Sequence, residues 1–463
     1  MTGAPRAGDS EDAMEPTRYF IKGRTYAAAD PGLQDGLARV YGSSERPRCM
    51  CVPGGVEMYI AKHAEYVVKR MPDTGRQHHP TCPSFEPEPG MSGLGELLGE
   101  AIIEHSPDQV EVRTDFPISR MPGRSMPRGE AVADPAEVHA PRKRMSLRAL
   151  LHYLYERAGF NRWYPAMEGR RNQGVLHKYL SEAARGVLLK GATLDERLYV
   201  PEPFWAELKE EIGERRRRKL ALLLSPEDAV QFKMAILVGE YNGSEPTNFG
   251  RRIIVRHMPD VALYIESKAW ERVERSYGAI LQARDADVAR KPRVMMAALI
   301  YAKREHVYQV DTLSMMLTTD QWIPLDGLHE LPLIEALQRE QRAFMKPLKY
   351  DARTSAAFPN VLLLDCGSVP RPLHVVSPFG EEKERALKER SVATSGEPTW
   401  VWYTDKDMPP LPERARSRAG GAGRIPSSPY DARRAALCVI SPRALQSRSV
   451  GTVSSSEVAR PSK

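Results

Sequence analysis

Three of the five cysteines of this 463-residue chain fall in one window, RPRCMCVPGGVEMYIAKHAEYVVKRMPDTGRQHHPTCPSF. Cys49 and Cys51 are separated by one residue, and His79 and Cys82 follow as H-x-x-C, with 27 residues between Cys51 and His79. Thiolate and imidazole donors in two close pairs are what a tetrahedral zinc ion takes. Cys49, Cys51, His79 and Cys82 are therefore assigned as the ligands of one Zn ion. His78 adjoins His79 and is the alternative fourth ligand, and His63 is a further candidate. Four protein donors leave no open coordination position, so the expected role is structural, not catalytic.

To bring the two pairs together, the chain between them has to return on itself. VEMYIAKHAEYVVKRM alternates apolar and polar residues and predicts a β-hairpin. The order Cys-x-Cys, hairpin, His-x-x-Cys is similar to small zinc modules that often bind DNA or protein partners.

The second kind of chemistry is phosphate binding. Arg215 and Arg216 open the run RRRRK on a predicted helix. Arg170, Arg171 and Lys178 lie between or on two helices that resemble a helix-turn-helix. These five residues are the candidate nucleic-acid contacts. Trp163 and Tyr164, beside Arg162, are aromatic candidates for base stacking. No P-loop, GxSxG elbow or HExxH helix is present. Asp260, Glu266 and Lys268 spell a D…E-x-K string at PDVALYIESK, spaced too closely for two strands.

Composition bounds the rest. The net charge of +7 arises beyond Pro412, where ten Lys/Arg face three Asp/Glu, so the body is balanced. Clustered cysteines in an odd total point to a reducing compartment and not to a disulfide framework, and the location expected is cytoplasmic. The N-terminus carries no apolar signal segment. The longest apolar runs, such as Val294–Ala302, fall short of the roughly 20 residues a membrane span needs, so no membrane contact is expected.

The fold expected is α+β and multidomain. Residues 1–16 read as a disordered lead, 17–116 as a zinc-stabilised β-hairpin domain with a helix over Leu94–Ile103, and 117–144 as a linker. Residues 145–225 read as a helical domain: Ser146 caps LRALLHYLYERAG, ended by Gly159, and further helices fit GVLHKYLSEAARGVLL and PFWAELKEEIGERRRRKLALLL. Residues 226–408 read as an α/β domain. Its strands are Val230–Val238, Arg252–Arg256, Val294–Ala302, Val307–Leu317, Val361–Leu364, Pro372–Val376 and Thr399–Tyr403. Its helices are Ser267–Arg284, Leu331–Phe344 and Glu381–Arg390. Residues 409–463 read as a disordered basic tail.

The stretches RPRCMCVPGGVEMYIAKH, VVKRMPDTGRQHHPTCPSFEPE, MSLRALLHYLYERAGFNRW, REHVYQVDTLSMMLTTDQWIPLDG and FPNVLLLDCGSVPRPLHVV resemble the bacterial domain-of-unknown-function family 1173. That family is carried mostly on integrative and conjugative elements and plasmids. The resemblance runs from about Tyr19 to about Arg390 and implies a mobile-element setting but no reaction. The function expected is that of a non-catalytic, zinc-stabilised accessory protein of such an element, binding DNA or an element protein; the alternatives are a metal-dependent nuclease with relocated carboxylates and an assembly protein without nucleic-acid contact.

The order after Leu331 (helix, three strands, helix, strand) is similar to the core of PD-(D/E)xK nucleases. In such a core an Asp and a Glu hold Mg²⁺ and a Lys assists the attacking water. Here Asn360, His374 and Val376 stand at those positions, so the resemblance implies a degenerate, non-catalytic copy. Asp351 and Asp365 are nearby carboxylates that could substitute in a relocated nuclease site; the plainer reading is that Asp365 ends a buried strand and Asp351 opens a loop.

Overall fold

Apolar and polar residues alternate after Tyr19, as a sheet with one buried face requires. The computed structural model describes residues 15–62, 65–106, 109–120, 143–225, 231–286, 289–378, 380–395, 399–415 and 426–427. The alternating region forms β1 (Arg18–Ile21), β2 (Arg24–Ala27), α1 (Leu33–Val40), β3 (Arg48–Cys49), β4 (Val56–Lys62) and β5 (Tyr66–Arg70). The strand order is β2-β1-β3-β4-β5, antiparallel throughout. The expected hairpin is β4–β5, with Met58 opposite Arg70 and Lys62 opposite Tyr66. Leu33, Leu37 and Val40 of α1 pack on Ile21 and Tyr26 to close this small core.

The helix expected over Leu94–Ile103 is absent. A single 3-10 turn covers Gly93–Glu96, and β6 (Ile102–Ser106) pairs with β7 (Gln109–Val112). Glycine explains the difference. A Cβ on Gly93 would lie 2.1 Å from the Lys349 carbonyl oxygen, and Gly99 turns the chain at φ 77°.

α2 (Leu147–Ala158) forms as read, with the Ser146 hydroxyl accepting from the Ala149 N–H and Gly159 at φ 76°. β8 (Arg162–Trp163) follows. α3 (Gln173–Ala183) ends earlier than expected. Gly186, at φ 72°, turns the chain into β9 (Val187–Leu189), which runs parallel to β7. β10 (Ala192–Thr193), β11 (Leu198–Tyr199) and α4 (Lys209–Leu220) complete this stretch.

Leu150, Leu151, Leu154 and Tyr155 of α2 are fully buried, in one core with Ile236, Met295, Leu299 and Tyr350. The helices of 145–225 thus pack directly on the sheet that follows them.

That sheet is built from β12 (Ala235–Thr247), β13 (Gly250–Val255), β14 (Ala262–Glu266), α5 (Ser267–Arg284), β15 (Arg293–Arg304) and β16 (Val307–Thr318). The sequence reading did not include β14. β12 pairs with β15 through Ala235–Glu240 and with β13 through Tyr241–Thr247, with a register shift between Tyr241 and Gly243. β13 pairs with β14, β14 with β16, and β16 with β15, so the pairing closes on itself as a five-stranded barrel. Leu237, Ile253, Leu263, Met296 and Val310 fill its interior. Ile236, Val238, Met295 and Leu299 face outward against α2.

The last unit comprises α6 (Leu331–Arg339), β17 (Phe344–Met345), β18 (Val361–Leu363), β19 (Arg371–Val376), α7 (Glu382–Thr394) and β20 (Trp400–Tyr403). α6 stops short of Phe344 because Gln341 turns at φ 55° and Phe344 enters β17. The sheet order is β8-β17-β18-β19-β20, with β19 and β20 parallel across α7.

The segment expected to begin a tail at residue 409 is docked as far as Ala415. Trp400 Nε1 donates to the Pro410 carbonyl at 2.9 Å, Arg342 Nη1 to that of Pro412 at 2.7 Å, and Ala415 N to that of Asp365 at 3.0 Å. Residues 1–14, most of the expected linker, and the tail beyond 415 apart from 426–427 lie outside the described residues. Glu15–Pro16 pairs with Pro426–Ser427, and Ser119–Arg120, at the start of the expected linker, pairs with Phe232–Lys233.

Candidate metal centre

β3 delivers Cys49 into the core, where the backbone turns at Cys49-Met50-Cys51. Gly54 (φ 81°) and Gly55 (φ 68°) return it to β4. A Cβ on Gly55 would meet Met50 Sδ at 2.9 Å and Arg48 Cβ at 3.1 Å. The β4–β5 hairpin then brings the second pair back beside the first.

Cys49 and Cys82 Sγ are 3.7 Å apart. His78 Nδ1 is 3.3 Å from Cys51 Sγ and 3.6 Å from Cys82 Sγ. All four donor atoms lie within 4.8 Å of one another. A tetrahedral ion with bonds of about 2.3 Å to sulfur and 2.0 Å to nitrogen separates two sulfurs by about 3.8 Å and a sulfur from a nitrogen by about 3.5 Å. The donor set and its spacing fit a metal ion of that kind.

The histidine is His78, a correction to the expected His79. The turn is closed by the Cys82 N–H on the His79 carbonyl at 2.7 Å. It leaves the His79 ring against Thr81, with Nδ1 2.8 Å from Oγ1. His63 lies outside the described residues.

The three sulfurs perturb one another. Hydrogen bonds from Cys49, Cys82 and His78 hold the Cys51 thiol well below the usual range. The bond to Cys51 pushes Cys49 up to about 12. Bonds to Cys49 and Cys51, with burial, raise Cys82 as well. Adjacent thiols cannot all ionise without a cation among them, and thiolates are the form a metal takes.

Around the centre, the Ser84 N–H donates to Cys82 Sγ at 3.4 Å. Arg162 donates to the carbonyls of Pro83, at 3.0 Å, and Phe85, fixing the second ligand pair to β8. Arg162 had stood only as the neighbour of two aromatic stacking candidates. Those candidates, Trp163 and Tyr164, are each 1% exposed and pack with Cys49 and Cys82 in the core, so neither can stack on a base.

Of the five cations expected to contact nucleic acid, two are built into the fold. Arg171 is buried and donates to the carbonyls of Phe160, Gln321 and Arg162. Arg216 is buried in an ion pair with Asp260. Arg215 is exposed but paired with Glu202 at 2.7 Å. Lys178 lies 5.7 Å from the Tyr179 ring centre, half-buried, and Arg170 is exposed. α2 is a buried core helix.

The carboxylates of a relocated nuclease site are likewise engaged. Asp260 holds Arg216. Asp351 accepts from the Ser146 backbone N–H at 3.0 Å and hydroxyl at 2.7 Å. Asp365 is in a buried bidentate pair with Arg342 at 2.9 and 2.8 Å. Asn360 and His374 are both buried. The order of elements after Leu331 stands as read, and the nuclease likeness rests on that order alone.

No helix among the described residues is long and apolar enough to cross a membrane. Nothing among curated proteins and nothing among solved structures matches the chain. The family model for proteins of unknown function, DUF1173, matches residues 19–405, which carry the four clustered donors and nearly all the described elements, and the chain belongs to that family.

Proposed function

We propose that Cys49, Cys51, His78 and Cys82 hold one structural zinc ion. On this reading the chain is a non-catalytic accessory protein of a mobile genetic element that binds nucleic acid or a protein partner in the cytoplasm. The single observation that carries the zinc assignment is the agreement of the S–S and S–N separations with the edges of a zinc tetrahedron. Four protein donors close the coordination sphere, which leaves the ion to hold the module together and not to activate water. Thiolate ligands call for a reducing compartment. The mobile-element setting rests on the sequence resemblance.

The test is metal analysis of protein purified without added metal, which should give close to one zinc per chain. Cys82→Ser and His78→Ala should lose it and loosen the N-terminal module, because binding and folding are coupled. His79→Ala should keep it. Full zinc retention in both Cys82→Ser and His78→Ala would remove the assignment.

A further inference from the structure

The barrel has a specific connectivity. Its strands follow the circuit β12-β13-β14-β16-β15-β12. Only β14 and β16 are parallel, and α5 lies between β14 and β15 in the chain. The first strand bends at a register shift so that its halves pair with different neighbours. This is the connectivity of the OB-fold, a five-stranded Greek-key barrel in which the face of the second and third strands, flanked by the first-second and fourth-fifth loops, takes up oligomeric ligands.

We infer that the outer face of β13 and β14, between the 247–250 and 304–307 turns, binds single-stranded nucleic acid. The inference rests on the nucleic-acid branch of the proposed function and gives it a surface.

First, this face is the open flank of the barrel. The outward residues of β12 and β15 are buried against α2. On β14 the alternation puts Leu263 and Ile265 inside and leaves Tyr264 half-exposed on the outside. On β13, Arg252 lies directly opposite Tyr264.

Second, the chemistry of the face suits unpaired bases. Tyr264 offers a ring with no hydrogen-bond partner among the described residues. Arg252 reaches Glu245 at 3.6 Å through Nη1, while its Nε is buried without a partner. Phe249, at the tip of the β12–β13 turn, is 86% exposed, the most open large apolar side chain described. Gly250 makes that tip: at φ 157° a Cβ there would lie 2.0 Å from the Ile265 carbonyl oxygen. An aromatic ring held out in water and an aromatic beside a guanidinium form a stacking platform. Only an unpaired strand has free base faces to lay on it.

Third, the cations that folding leaves unused lie at the other rim. Arg216 of α4 is tied to Asp260 in the β13–β14 loop, which places that end of α4 beside the barrel. Arg217, next along, acts electrostatically on Tyr308 at the start of β16. Arg217 and Arg218 are exposed and have no acidic partner among the described residues. A strand crossing the face would run its phosphates toward them.

The test uses the full chain and a 5′-fluorescein oligo-dT of about 20 nucleotides, read by fluorescence anisotropy against a duplex of the same length. Wild type should prefer the single strand. Tyr264→Ala and Phe249→Ala should each weaken binding by about 5- to 100-fold, the range of losing one stacked base. Tyr264→Phe should restore it. Arg252→Gln should weaken binding and flatten its salt dependence. All three positions are exposed or half-exposed, and unchanged melting curves would separate loss of contact from loss of fold. Oligo-dT binding unchanged by Tyr264→Ala and Phe249→Ala would overturn the face while leaving the nucleic-acid reading in place, with the basic residues beyond Pro412 as its carrier. Equal affinity for the duplex would also overturn it. No binding of either oligonucleotide would remove the surface and the nucleic-acid reading together, with zinc content untouched.

Discussion

Asp365→Ala is the substitution whose cost the structure defines most sharply. The carboxylate receives Arg342 Nε at 2.9 Å, Arg342 Nη2 at 2.8 Å and the Ala343 N–H at 3.2 Å, with Arg414 Nε a further 3.7 Å away. The two side chains of the pair are 4% and 2% exposed. Removing one partner of a buried pair leaves the other charge without compensation or water, which costs about 3–5 kcal/mol. At about 2–4 °C per kcal/mol in a domain of this size, the melting temperature should fall by roughly 10 °C. The double change Arg342→Met with Asp365→Leu removes both charges, so it should recover most of that loss. Thermal unfolding followed by circular dichroism measures both. A single variant that melts within a degree or two of wild type, or a double variant as unstable as the single, would refute the reasoning. The same proteins test the nuclease rival. Wild type should show no Mg²⁺- or Mn²⁺-dependent cleavage of DNA, and cleavage abolished by a folded Asp365→Ala would restore a metal-binding role for this carboxylate.

Three further outcomes follow from other parts of the molecule. Gly55→Ala should cost about 1–2 kcal/mol, from its left-handed backbone, and weaken metal retention, since the new methyl group meets Met50 and Arg48; chelator-challenge kinetics measure it. Burial pushes Lys388 down to about 7 from 10.5, so the folded state resists its charge: wild-type stability is lowest below about pH 7 and rises as pH climbs towards 10.5. Melting curves should therefore move in favour of wild type over Lys388→Met between pH 7 and 10, and parallel curves would remove this account. Truncation after Ala415 should leave the melting temperature nearly unchanged, whereas truncation after Met408 should lower it by several degrees, because Trp400 and Arg342 then lose their carbonyl partners.

Local signals were legible where one short stretch carries the whole reason for its shape. α2 could be read from Ser146, the apolar run and Gly159 because cap, face and stop all lie within 14 positions. The β4–β5 hairpin and the three cysteines were legible for the same reason. What escaped was decided across the fold. His78 and His79 are equivalent by spacing, and only the turn from His79 to Cys82 determines which ring faces the sulfurs. Arg171 looked free because its partner at Gln321 is 150 residues away, and Arg216 because Asp260 is 44 away. The barrel was hidden behind β14. ALYIE is only five residues long and runs straight into α5, so neither its length nor a turn announced a strand. Without it the circuit of strands does not close, and the face carrying Tyr264 could not be seen.

The unit from α6 to β20 shows why an order of elements does not carry a reaction with it. Its polar centre is already neutralised from within. Lys346, fully buried, places Nζ 2.5 Å from Glu330 Oε1 and 3.1 Å from Asp326 Oδ2. Asn360 donates its amide N–H to the same Glu330 oxygen and accepts the Val375 N–H at 2.9 Å. Burial alone would raise Asp326, yet Lys346 and Lys349 hold it below the usual carboxylate range, as a carboxylate with its counter-cation in place should be. A divalent ion entering here would compete with a tethered ammonium for the same oxygens. It would also leave that ammonium buried and unpaired, at a cost of several kcal/mol. Lys346 thus supplies from the chain the positive charge that a metal would otherwise bring. The centre ties β17, β18 and β19 together through side chains of this chain alone.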